Sequence, residues 1–151
     1  LRVIRDLVAF ESVGKGTDLA ASLTYAVRLL NHRSIVVILS DFLAPNWERP
    51  LQRLAGRHEV VAVTVDDPRE RALPPSGWLD LQDAESGRRV MIDAGNREVR
   101  RRLASLAERR TEERRRSLAA AGVDHVALVT GQDYALPLRR AFALRAKRQR
   151  R

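Results

Sequence analysis

The chain of 151 residues contains no cysteine, which excludes disulfide cross-links and thiolate chemistry. That fits a reducing compartment, and the expected location is the cytoplasm. Aromatic residues make up only 5% of the chain, so stacking platforms for bases are scarce. No apolar run approaches the roughly 20 residues that a membrane helix requires. The start shows no basic segment followed by an apolar one, so no signal peptide is visible. No methionine stands first either. The opening LRVIRDLVAF puts Leu1, Ile4, Leu7 and Val8 on one helical face, and a domain seldom begins inside an amphipathic helix. The chain is therefore expected to be the C-terminal part of something longer, a partial domain.

What is present suits one soluble domain with a modest core: 44% apolar and 31% charged residues. The net charge of +9 is unevenly placed. Residues 1–95 hold 12 basic and 13 acidic side chains, and residues 96–151 hold 16 basic and 6 acidic, so the whole excess sits in the last third. Such asymmetry raises nucleic acid or an acidic partner as a candidate.

TDLAASLTYAVRLLN reads as a helix, with Leu19, Leu23, Ala26, Val27 and Leu30 in one stripe and Thr17 or Asp18 as its N-terminal cap. Ile35 to Leu39 are consecutive apolar residues, mostly β-branched, as expected of a strand buried on both faces. NWERPLQRLAGR predicts a short helix and EVVAVTVDD a second buried strand, completing a βαβ unit and implying parallel pairing. DPRERALPPSG reads as a loop, and WLDLQD with RRVMID as a small hairpin around Gly87. Asn96 can cap a long helix from about 97 to 120 that Gly122 ends. DHVALVT predicts a third strand, and DYALPLRRAFALRAKRQRR a last helix running into a basic tail over residues 145–151. The expected class is α/β, with an open, mostly parallel, Rossmann-like sheet flanked by helices and a small β-hairpin insertion.

Several stretches invite a chemical reading. VGKGTD lacks the spacing of a P-loop, and Asp18 would repel a phosphate. Thr17 at a helix start and Asp41 at a strand end are hard oxygen donors suited to Mg²⁺ or Mn²⁺, but on composition alone both read as caps. Asp66, Asp67 and Glu70 offer carboxylates for acid–base work, although DDP is a common turn. His32, His58 and His125 are scattered without metal spacing, and Ser40 has no nucleophile elbow around it. No catalytic triad is present, and the chain is not expected to be an enzyme. Arg100, Arg101, Arg102, Arg109, Arg110, Arg114, Arg115 and Arg116 line one helix, and Lys147, Arg148, Arg150 and Arg151 follow at the end. This is the footprint of a nucleic-acid-binding module, but Glu108, Glu112 and Glu113 within the run favour a solvated helix face.

GKGTDLAASL, HRSIVVILSDF, LAGRHEVVAVTVDDPRERALP and GWLDLQDAESGRRVMIDAG, in that order and spacing, resemble the bacterial family called domain of unknown function 58. The resemblance runs over nearly the whole chain. It implies the C-terminal part of a von Willebrand factor A-like domain over residues 1–144, a fold with a six-stranded, mostly parallel sheet between helices. Many such domains carry a metal-ion-dependent adhesion site built from a D-x-S-x-S motif, a threonine in a G-T turn and an aspartate after the fourth strand. Thr17 and Asp41 match the last two, whereas D-x-S-x-S is absent from this chain. The resemblance further implies Mg²⁺ or Mn²⁺ in the intact protein and a partner among the MoxR-type AAA+ ATPases, in complex assembly or maturation. Missing strands would leave an edge at SIVVILS open to self-association.

Two oxygen ligands cannot hold Mg²⁺ against its hydration shell. Calorimetric titration of the isolated chain with Mg²⁺ is expected to show weak binding or none, and tight one-to-one binding would contradict this.

Overall fold

The computed structural model describes residues 2–10, 16–82 and 87–149, without the side chains of residues 3, 7, 70, 71, 148 and 149. Leu1, the first glycine and lysine of the opening turn, the hairpin tip, Arg150, Arg151 and the side chains of Leu7, Glu70 and Arg148 therefore lie outside the described residues.

The elements run α1 (Arg2–Ala9), α2 (Leu19–Leu29), β1 (Ile35–Leu39), α3 (Glu48–Ala55), β2 (Glu59–Asp66), α4 (Pro68–Arg71), β3 (Trp78–Gln82), β4 (Arg89–Asp93), α5 (Arg97–Ala120), β5 (Asp124–Val129) and α6 (Ala135–Gln149). Strands β1, β2 and β5 form one parallel sheet in that order, with β2 in the middle. Strands β3 and β4 form a separate antiparallel pair. The class is thus mixed α/β, with the expected parallel pairing and hairpin.

Local chemistry sets most boundaries. Asp18, not Thr17, caps α2, its Oδ1 accepting from the Ala21 amide at 2.8 Å. Asn96 caps α5 as expected, accepting from the amides of Glu98 and Val99. Gly122 follows the end of α5 with φ +69°, a left-handed conformation that costs glycine little. Where a loop was expected, Asp67 caps the single turn α4, with Pro68 at its first position.

The core lies on both faces of β2. On one face Leu19 and Leu23 of α2, Leu51 and Leu54 of α3, Val60 and Ala62 of β2, and Leu118 of α5 share a cluster with Phe42 and Trp47. On the other, Val61 and Val63 of β2 and Val126 of β5 pack with Leu138 and Ala141 of α6.

One expectation fails here. Strand β1 is buried on one face only: Val36 and Ile38 pack into the first cluster, while Ile35, Val37 and Leu39 remain 60%, 43% and 71% exposed. These three pair with Glu59, Val61 and Val63 and so share the face that α6 covers farther along the sheet. Their apolar character anticipates a cover that the described residues do not supply. Helix α6 continues through Gln149, and Arg145 donates from Nη1 to Asp124 (2.9 Å) and from Nη2 to Glu59 (2.6 Å), tying α6 to the first residues of β2 and β5.

Leu118 is completely buried and is, with Arg114, one of the two buried side chains of α5. Leu118→Ala is expected to lower stability by about 2–5 kcal/mol, the usual cost of such a cavity, read from the denaturation midpoint.

Candidate functional site at the carboxyl edge of the sheet

All three parallel strands end at one edge. After β1 come Ser40 and Asp41, after β2 comes Asp67, and after β5 come Thr130 and Gly131. The main chain knits the edge together: the Ser40 amide donates to the Val63 carbonyl (3.2 Å) and the Thr130 amide to the Asp66 carbonyl (3.0 Å).

The segment after β1 is tightly specified. Ser40 Oγ accepts from the Phe42 amide (3.0 Å), and Asp41 Oδ1 accepts from the Leu43 amide (3.1 Å). Phe42 has φ +56°, an unusual conformation for a residue with a bulky side chain. Its ring is buried edge-on against Trp47, with centroids 5.0 Å apart, and the Trp47 indole N–H donates to the Phe42 carbonyl at 3.2 Å. Asp41 itself stays exposed.

Beneath this loop lies a guanidinium. Arg114, 9% exposed, donates from Nη1 to the Asp41 carbonyl (2.8 Å) and from Nη2 to Asp66 Oδ1 (2.7 Å). Nearby, the fully buried Thr64 shares a 3.0 Å hydrogen bond with His125 Nε2. Burial pushes His125 below its ordinary pKa, the Arg114 and Arg115 guanidinium groups push it the same way, and Asp66 opposes them.

The candidate residues sort accordingly. Thr17 is exposed one residue before the Asp18 cap. Leu19, two residues after Thr17, and Phe42, next to Asp41, share the same core cluster, which ties the start of α2 and the loop after β1 to one body. Among the described residues no group of three or more His, Cys, Asp or Glu side chains is placed to hold a metal ion.

Asp66 and Asp67 do not act as a carboxylate pair: Asp66 is buried on Arg114, and Asp67 accepts from the Arg69 amide. The arginine row is similarly divided. Arg114 is buried and leaves the exposed row altogether. Arg100 donates to the carbonyls of Ala94 and Gly95, and Arg115 and Arg116 both hold Glu112. Hydrogen bonds from these two arginines lower the Glu112 pKa to about 2, the mark of a charge-balanced helix face. Arg101, Arg109, Arg110 and Lys147 are exposed. Sequence reasoning missed the loop with its reversed Phe42 and the inward turn of Arg114. The one available signal was helical spacing, since Arg114 lies four residues before the core residue Leu118.

Fold and edge together define a small α/β domain that presents an acidic loop at the carboxyl end of a parallel sheet. The chain belongs to the family described as Protein of unknown function DUF58, which it matches over residues 1–113. It is 40% identical over 125 residues to the uncharacterised protein MAV169 of Mycobacterium avium, covering 81% of this chain and 72% of that protein. It is 38% identical over 133 residues to the uncharacterised proteins Rv1480 of Mycobacterium tuberculosis and Mb1516 of Mycobacterium bovis, covering 86% of this chain. The chain spans 41% of the length of those two relatives. No solved structure matches it.

His125 titrates lower in the fold than in the unfolded chain, where histidine has a pKa near ~6.5. Between those two values the unfolded chain binds more protons, so stability present above about pH 6.5 is lost as pH falls through the folded pKa. Thermal unfolding from pH 7.5 to 5 is expected to show this loss, and His125→Asn to remove that part of it.

Proposed function

We propose that the chain is part of a non-enzymatic protein-interaction domain of von Willebrand factor A type, with the Asp41 loop as its recognition element. The observation that carries this reading is the exposed Asp41 on a loop held by Ser40, Phe42, Trp47 and Arg114. Ligands of open parallel sheets gather beyond the carboxyl ends of the strands, where this loop lies. The outer edge of β1, which no described strand pairs, supports the same reading, because the further strands of a larger sheet would pair there. That edge is also where the chain by itself would self-associate. In the full-length protein Mg²⁺ or Mn²⁺ would need ligands beyond Thr17 and Asp41, from residues outside this chain. The partner proposed is a MoxR-type AAA+ ATPase, in complex assembly or maturation.

The test is recovery of that ATPase on the tagged full-length natural protein. Asp41→Ala is expected to reduce recovery by about tenfold or more, the scale of losing one charged contact at an interface, and to leave DNA binding unchanged. Equal recovery by both proteins would overturn the reading. The nucleic-acid reading expects instead duplex binding that falls steeply with salt and is lost when Lys147, Arg148, Arg150 and Arg151 become Gln.

A further inference from the structure

Arg114 is an odd residue to bury. It is 9% exposed, its Nε has no hydrogen-bond partner among the described residues, and its neighbour on the same helical face is the fully buried Leu118. An apolar side chain there would avoid the desolvation of a guanidinium and of the Asp66 carboxylate it meets. Nor is a salt bridge the whole of what Arg114 makes. One arm of its fork takes Asp66 at the end of β2, and the other takes the main-chain carbonyl of Asp41, 73 residues away in sequence. A guanidinium can hold two acceptors at fixed separation because its N–H groups are coplanar and rigid, which a lysine ammonium does not reproduce.

The carbonyl it holds is at a telling place. The next residue, Phe42, has the left-handed φ of +56°. Such a conformation persists only where the surroundings over-determine it. Four contacts do so: Ser40 Oγ on the Phe42 amide, Asp41 Oδ1 on the Leu43 amide, the Trp47 indole on the Phe42 carbonyl, and Arg114 on the Asp41 carbonyl. Three of them are local to residues 40–47. Arg114 alone among these four comes from a distant element, so it refers the loop to the end of β2 and to α5.

We infer that Arg114 is a positioning residue for the Asp41 loop: its grip on the Asp41 carbonyl aims the carboxylate outward and makes the loop's geometry depend on the seating of α5 against β2. This rests on the reading of Asp41 as the recognition residue. Helix α5 extends 24 residues, and at its far end Arg100 holds the carbonyls of Ala94 and Gly95, just after β4. The same helix thus touches the Asp41 loop through one arginine and the base of the β3–β4 hairpin through another.

The experiment is amide hydrogen exchange in the full-length natural protein, comparing the amides of Phe42 and Leu43 with those of Val61 to Val63 in β2. Arg114→Met leaves the buried Asp66 carboxylate without its guanidinium and can unfold the domain, so the deciding variant is Asp66→Asn with Arg114→Met, which removes both charges. Its loop amides are expected to exchange about tenfold faster, the scale of one charge-assisted hydrogen bond, while the β2 amides stay as in the natural protein. Asp66→Asn alone keeps the Asp41 carbonyl bond and is expected to leave the loop protected. Unchanged loop exchange in the double variant would overturn the inference, as would equal acceleration in the loop and in β2. Failure of Asp41→Ala to reduce partner recovery would remove the recognition reading and leave the exchange result standing, so the two failures are distinguishable.

Discussion

The structure depends on the burial of β2 between two strands and two helical layers. Val60 and Ala62 face one cluster, and Val61 and Val63 face the other, so this strand contributes to both halves of the core. A strand in that position must satisfy every backbone group through its neighbours, which the parallel ladders to β1 and β5 do. Its two acidic ends then need cations. Arg145 meets Glu59 at the start, together with Asp124 of β5, and Arg114 meets Asp66 at the finish. Each arginine comes from a different helix, so the ion pairs set where α5 and α6 lie along the sheet.

That arrangement explains the division of the basic residues. Charge in the last third looks like one feature in the sequence, but the fold gives it three uses. Arg114 and Arg145 are internal fasteners, Arg100, Arg115 and Arg116 balance carbonyls or carboxylates on their own side of the molecule, and Arg101, Arg109, Arg110 and Lys147 remain on the surface. A positive net charge therefore overstates the surface available to a polyanion. The strongest specification falls on the loop after β1, where an unusual backbone angle, a buried aromatic pair and a distant guanidinium converge beside an exposed carboxylate.

Much of the fold was legible. The three strands of the parallel sheet, the hairpin and the helices around them follow from apolar periodicity and from turn residues, because those signals are local. The Asn96 cap and the Gly122 stop were readable for the same reason. Strand β1 was misjudged in burial because IVVIL records what the residues suit, and not whether anything covers them. Asp41 could be placed at a strand end, yet nothing nearby in sequence shows that Phe42 takes a left-handed angle or that Arg114 reaches its neighbour's carbonyl.

By itself the sequence determined the family, the α/β class, the order of the elements and the absence of thiol chemistry, since these reside in composition and in patterns a few residues long. Only the tertiary structure decided which arginines turn inward, which face of β1 stays bare, and which carboxylate at the sheet edge is spent on an ion pair and which is presented. Those outcomes depend on groups far apart in the chain, as Arg114 and Asp41 are, and a contact between them exists only once burial of β2 has brought α5 and the loop together.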